Sequence, residues 1–151
     1  LPISYEGFGA PLAGEMQSAA LFPPVLLLRL PGGQLYFHVL LEAVAGIGTF
    51  LFLRRLKVSR PAATAGGIAF GLCGTYAWLA NAVMNPIAFL PWTMLGVEQV
   101  FADDGRTRRI GRLVIAGSLA GSLYAGFPEV AYINGLLVAA WAVLRLVQPK
   151  T

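Results

Sequence analysis

Residues 61–97, PAATAGGIAFGLCGTYAWLANAVMNPIAFLPWTMLGV, carry no charged side chain. As one α-helix the stretch would run roughly 55 Å at 1.5 Å per residue, well beyond the ~30 Å hydrocarbon thickness of a bilayer. It therefore has to break. The breakers it contains are Asn81, Asn85 and Pro86, since proline lacks a backbone donor and disfavours helix in the residue before it. The reading that follows is two helices, at about 62–80 and 86–101.

Working outward, residues 35–53 form an apolar helix that stops at Arg54 and Arg55. On the other side, residues 110–125 and 130–146 are two more apolar segments, parted by Gly126, Phe127, Pro128 and Glu129. Composition agrees: 57% of the 151 residues are hydrophobic and 12% charged, against roughly 25% charged in soluble domains. The mean hydropathy is +0.70. So few charges do not cover a soluble surface, and the expected class is all-α, an integral membrane bundle of about five transmembrane helices over residues 35–151.

The first 34 residues read differently, because Pro2, Pro11, Pro23, Pro24 and Pro31 and several glycines interrupt any long helix. They are expected to form an extracytoplasmic loop. Its apolar stretch 19–30 is too short to span, contains Arg29, and fits a short interfacial helix or a re-entrant segment.

Charge placement orients the bundle. Arg54 to Arg60, Arg106 to Arg112 and Arg145 to Lys150 fall on one side of five alternating spans, and ten of the eleven basic residues belong to these clusters. By the positive-inside bias that side is cytoplasmic, which places residues 1–34 outside a multi-pass membrane bundle. The net charge of +4 is thus a topology signal and not a nucleic-acid surface. A lone Cys73 and a lone His38 argue against an internal disulfide or a zinc site, and no motif asks for a cofactor. Gly67 with Gly71, and Gly117 with Gly121, have the four-residue spacing that lets helix backbones approach closely.

The order of motifs resembles the YfhO family of bacterial membrane proteins, which is similar to the GT-C superfamily of lipid-linked-sugar glycosyltransferases. The resemblance is carried by Gly7-Phe8-Gly9-Ala10-Pro11-Leu12, Met16-Gln17-Ser18 and Phe22-Pro23-Pro24 in the outer loop. It continues through Ala45-Gly46-Ile47-Gly48-Thr49-Phe50 into Leu53-Arg54-Arg55-Leu56, then Gly67 to Gly74, Asn85, Leu90-Pro91-Trp92, Glu98 and Ala125-Gly126-Phe127-Pro128-Glu129. Phe127 departs from the histidine expected there. The resemblance implies a chain that begins inside the first outer loop of a longer protein. It also implies transfer of a sugar on the outer face, from a polyprenyl-phosphate carrier to an envelope polymer or lipid, with an acidic outer-loop residue as base.

Glu15 and Glu6 are the carboxylates of that loop, either general bases taking a proton from a sugar hydroxyl or solvated loop charges. His38 and Glu42 stand four apart on one face of the first span, as a substrate contact or as a pair that supports packing. Glu129 and Asn85 belong to the outer turns, where they line a cavity mouth or simply face solvent. Arg29 meets a lipid phosphate or snorkels to the headgroups. Glu98 reads as an interfacial charge facing the basic cluster, outside the chemistry, and Trp and Tyr residues read mainly as interface anchors. The competing function is a non-catalytic transmembrane subunit packed in a larger membrane complex, favoured by the glycine pairs and few polar groups. A transporter ranks last, for want of inverted repeats.

Overall fold

The computed structural model describes residues 19–73 and 82–147, and every regular element among them is helical. A 3-10 segment, Pro23–Arg29, leads into α1 (Gly33–Arg55) and α2 (Arg60–Gly71). A second 3-10 segment, Ala82–Phe89, runs into α3 (Leu90–Val100), followed by α4 (Gly105–Tyr124) and α5 (Pro128–Val147).

The sequence boundaries move for identifiable reasons. The segment expected as one helix over 86–101 is 3-10 through Phe89 and α-helical only from Leu90. Pro86 sits inside the 3-10 stretch and Pro91 opens the α-helix, in the first-turn position where its missing N–H costs nothing. Helix α4 begins at Gly105 and not at Ile110, because Asp104 caps it: its carboxylate accepts from the amides of Arg106 (3.2 Å) and Thr107 (2.9 Å) and from the Thr107 hydroxyl (2.8 Å). Helix α5 likewise begins at Pro128, after a turn in which Gly126 adopts a φ of 105° that side chains rarely tolerate. The helix expected over 62–80 is shorter where it is described: it runs from Arg60 to Gly71, 12 residues, and ends at a cap on Leu72, whose amide returns to the Ile68 carbonyl.

Small residues set the packing. In α1 and α2, which run antiparallel, a Cβ on Gly67 would stand 2.8 Å from the Gly46 carbonyl oxygen, and one on Gly71 would stand 2.9 Å from that of Glu42. Helices α3 and α4 meet the same way, with a Gly96 Cβ 2.9 Å from the Gly111 carbonyl. Of the expected pair Gly117 and Gly121, only the second is used: its Cβ would strike the Phe89 ring, whereas nothing lies within 4 Å of one on Gly117. Alanines fill the tightest places, with Ala45, Ala63, Ala88 and Ala125 fully enclosed beside the larger buried Phe37 and Leu41. Phe22 closes one end of this core, edge-to-face with Phe37 (6.2 Å) and Phe89 (5.9 Å).

Two helices, Gly33–Arg55 and Pro128–Val147, are long and apolar enough to cross a membrane. Only 22% and 11% of their apolar stretches are buried, which is unlike the core helix of a soluble domain. Leu113, Tyr132, Ile133, Leu146 and Val147 are 62–76% exposed.

Substituting Gly67 by Val places a branched side chain against a backbone oxygen and should destabilise the α1–α2 contact by about 1–3 kcal/mol. Gly117→Ala meets open space and should be neutral or stabilising. Thermal unfolding of both variants in detergent checks the contrast.

Candidate functional site

The bundle has a basic end, where α1, α3 and α5 finish and α2 and α4 begin, and an opposite end. The sequence-derived candidates divide between the described residues and the rest. Glu6 and Glu15 lie outside the described residues. Arg29 ends the first 3-10 segment and is exposed. His38 is half-buried, edge-to-face with Phe37 at 6.0 Å, and Glu42 is half-buried one turn along α1. Glu129 is exposed in the first turn of α5, where the helix dipole favours a carboxylate. Among the described residues no hydrogen bond or ion pair links any two of these groups, so His38 and Glu42 share a face without bonding to each other.

Asn85 is different: it is 5% exposed, and its Nδ2 donates to the Ala125 carbonyl at 3.2 Å. One residue on, the buried Pro86 carbonyl accepts from Asn134 Nδ2 (3.1 Å) and from the Ser122 hydroxyl (3.4 Å). The proline break thus supplies the point at which the opposite end of α4 and α5 is fastened. Asn134 thus ties α5 to the 3-10 segment, whereas the Oε1 of Gln99 is buried without a partner among the described residues.

Glu42 lines an open groove of about 390 Å³ between α1 and α2, together with Val39, Gly46, Phe50, Thr64 and Ile68. A smaller hollow of about 250 Å³ lies among Val44, Phe89, Trp92 and Ser118. Both are almost wholly apolar in their lining. Among the described residues no three His, Cys, Asp or Glu side chains gather as metal ligands.

Among the described residues the one buried charged side chain is Glu98, expected from the sequence to be an interfacial charge. It is instead 4% exposed inside the basic end. Arg145 Nε lies 2.8 Å from its Oε1, Trp141 Nε1 donates to the same oxygen at 2.9 Å, and Arg55 donates to its backbone carbonyl at 3.4 Å. Phe52 of α1 stacks edge-on against Trp141 at 5.7 Å. A carboxylate held in this way fastens α3 to α5. Two signals pointed to it: a single carboxylate in the last turn of one apolar segment and a single arginine in the last turn of another, on the same side of the bundle.

The tryptophans also depart from the anchor reading. Trp92 donates through Nε1 to the Val44 carbonyl of α1 at 2.8 Å, an approach that Gly48 permits, since a Cβ there would stand 2.5 Å from the same nitrogen. Thr93 donates to Ser118 Oγ at 2.9 Å, and Ser118 in turn to the Val114 carbonyl at 2.7 Å. Tyr124 and Tyr132 are exposed, while Tyr76 and Trp78 lie outside the described residues.

No family model, no curated protein and no solved structure matches this chain.

Removing one partner of the buried pair leaves the other uncompensated. Arg145→Leu should therefore cost about 3 kcal/mol, the lower end for such pairs because a third of the Arg145 side chain is exposed. The double variant Glu98→Leu/Arg145→Leu should cost less than Arg145→Leu alone, measured by the same detergent unfolding.

A second expectation concerns pH. The Thr107 amide first, then its hydroxyl and the Arg106 amide, hold the Asp104 carboxyl below its ordinary value of 3.8. The stability this cap contributes is complete above that ordinary value and is lost as pH falls through the lower folded one. Asp104→Ala should lower the unfolding midpoint at neutral pH, with a difference from wild type that shrinks on acidification.

Proposed function

We propose that the chain is a five-span bundle of the bacterial cytoplasmic membrane, with its basic end in the cytoplasm. We further propose that it serves a GT-C-like glycosyltransferase moving a sugar from a polyprenyl-phosphate carrier to an envelope polymer or lipid outside. The lengths of three elements besides α1 suit a crossing, since α4 and α5 each rise about 30 Å and the 3-10 lead-in plus α3 together about 32 Å, whereas the described α2, 12 residues, rises about 18 Å. The exposed apolar faces of α4 and α5 suit lipid and not water.

The observation that carries the catalytic reading is the unequal handling of charge at the two ends. At the cytoplasmic end the buried carboxylate is matched by arginine and tryptophan and is spent on holding helices together. Toward the outer end His38 and Glu42 stand half-buried, one turn apart, with Glu42 on the α1–α2 groove and no ion pair among the described residues. Intramembrane ionisable groups are costly and are kept where they meet a substrate or carry a proton. In this reading the outer-loop carboxylates Glu15 and Glu6 supply the base, and His38, Glu42, Glu129, Asn85 and Arg29 contact the carrier or acceptor. The family resemblance of the sequence motifs supplies the reaction class.

One observation favours the second reading, a non-catalytic subunit packed in a larger complex. Asn85, Ser122, Asn134, Thr93 and Glu98 all use their polar atoms to join one element to another.

The deciding assay is sugar transfer from a polyprenyl-phosphate donor in membranes holding the native protein. Glu15→Gln should reduce transfer by about a hundredfold or more, the usual weight of a general base. His38→Leu and Glu42→Gln should lower it less. Unchanged transfer in all of these variants and in Glu6→Gln would select the subunit reading.

A further inference from the structure

Apart from Arg60, which opens α2, the arginines of the basic end fall into two groups that the sequence does not distinguish. Arg54 donates to the Val58 carbonyl at 2.6 Å, Arg55 to the Glu98 carbonyl, and Arg145 pairs with the Glu98 carboxylate. These three are part of the fold. Arg106, Arg108, Arg109 and Arg112, in the first two turns of α4, are all exposed. Helix α4 buries Gly111, Ser118 and Ser122, a stripe turned toward α3, and the arginines lie off that stripe.

This cluster works against the helix that carries it. Cations near a helix N-terminus oppose the macrodipole, and Arg108 and Arg112, one turn apart, repel each other. Two carboxylates adjoin the four arginines, Asp103 and Asp104, and Asp104 is committed to the helix cap. The segment 103–112 therefore keeps a formal charge of +2, four arginines less two aspartates. An external anion held here would relieve the repulsion. The backbone amides at the helix start already have the Asp104 carboxylate, so the ligands for that anion are the guanidinium groups.

What lies along the helix decides between a free anion and a lipid. Directly beyond the arginines the same exposed surface becomes apolar, with Leu113 73%, Leu119 38% and Leu123 48% exposed. A ligand with a phosphate at one end and hydrocarbon below it matches both parts at once, and guanidinium groups bind phosphate oxygens through paired hydrogen bonds.

We propose that the first two turns of α4 bind the phosphate of an anionic phospholipid of the cytoplasmic leaflet, with Arg108, Arg109 and Arg112 as headgroup ligands. Leu113, Leu119 and Leu123 then lie along its acyl chains. The proposal rests on the membrane orientation given above. It identifies a lipid cofactor site on the face away from the sugar chemistry, and it makes α4, the helix richest in charge, dependent on leaflet composition.

The test is native mass spectrometry of the whole protein released from micelles doped with phosphatidylglycerol or phosphatidylcholine. Phosphatidylglycerol should be retained about tenfold better, and inorganic phosphate should not displace it. Arg108→Gln/Arg109→Gln should abolish the preference, Arg108→Lys/Arg109→Lys should keep part of it, and Lys57→Gln/Arg60→Gln, which removes the same charge, should leave it intact. Equal retention of the two lipids by the wild-type protein overturns the proposal without need of any variant. So does displacement by inorganic phosphate, which means a free-anion site, or equal loss in both glutamine variants, which means a diffuse charge effect. Alkaline carbonate extraction keeps the two readings apart: release of the wild-type protein from native membranes would sink the membrane reading itself, whereas retention with no lipid preference would sink only the site.

Discussion

A polar acceptor enclosed among apolar helices has to be met by a donor, because no water is at hand to replace one. The segment 82–100 carries such an acceptor near each end: the Pro86 carbonyl and the Glu98 carboxylate. Asn134 and Ser122 reach the first, from α5 and α4; Arg145 and Trp141, both from α5, reach the second. Between them Trp92 fixes the same segment to α1 and Thr93 fixes it to α4. Helix α5 depends most on this arrangement, since it buries only Ala131 and Val138 and has little apolar contact to hold it. Its position is set by polar bonds at two heights along a central helix, which specifies register where apolar contact alone would permit sliding.

Small residues make those bonds reachable. Side-chain amides and indoles are short, and they meet backbone carbonyls of a neighbouring helix only when the helices come close. Gly48 admits the Trp92 ring, and Gly96 with Gly111 brings α4 against α3 where Thr93 and Ser118 meet. The alanines of the core serve the same end from within. Packing of this kind suits a bilayer, where burying a large apolar side chain against another helix gains little over burying it against lipid.

Much of the helix layout was legible because it depends on local chemistry. The arginine pair after Leu53 closes α1, whereas the long apolar run already leaves helix after Gly71, ahead of the expected breakers, and Asn85 and Pro86 lie inside the 3-10 lead-in to α3. The start of α4 was set too late because a search for apolar residues discards four arginines, although Asp104 announces the cap three residues before Thr107. The 3-10 form of 82–89 was hidden for a different reason: Pro86 forbids a regular helix but does not say which alternative replaces it. Pairings remote in sequence were harder still. Glu98 and Arg145 each look like ordinary end-of-span charges, and only the lateral order of the helices brings them within 2.8 Å. For the site, the four-residue spacing of His38 and Glu42 was readable, whereas the groove that Glu42 lines exists only once α2 lies against α1 through Gly67 and Gly71.

The two ends of the bundle consequently differ in what they have left to offer a ligand. Near the basic end, the buried charge is matched inside the protein, and what faces outward is the arginine surface of α4, suited to a leaflet that carries negative headgroups. Toward the opposite end the proline break consumes amide and hydroxyl donors in joining helices, and among the described residues His38, Glu42, Glu129 and Arg29 stand apart from those bonds. A bundle with an exposed arginine surface on one side and half-buried titratable groups toward the other is polarised across its height. In the proposed sugar transfer, that asymmetry would leave the titratable groups of one end to orient a lipid-borne substrate while the fastened, basic end holds the helices in place.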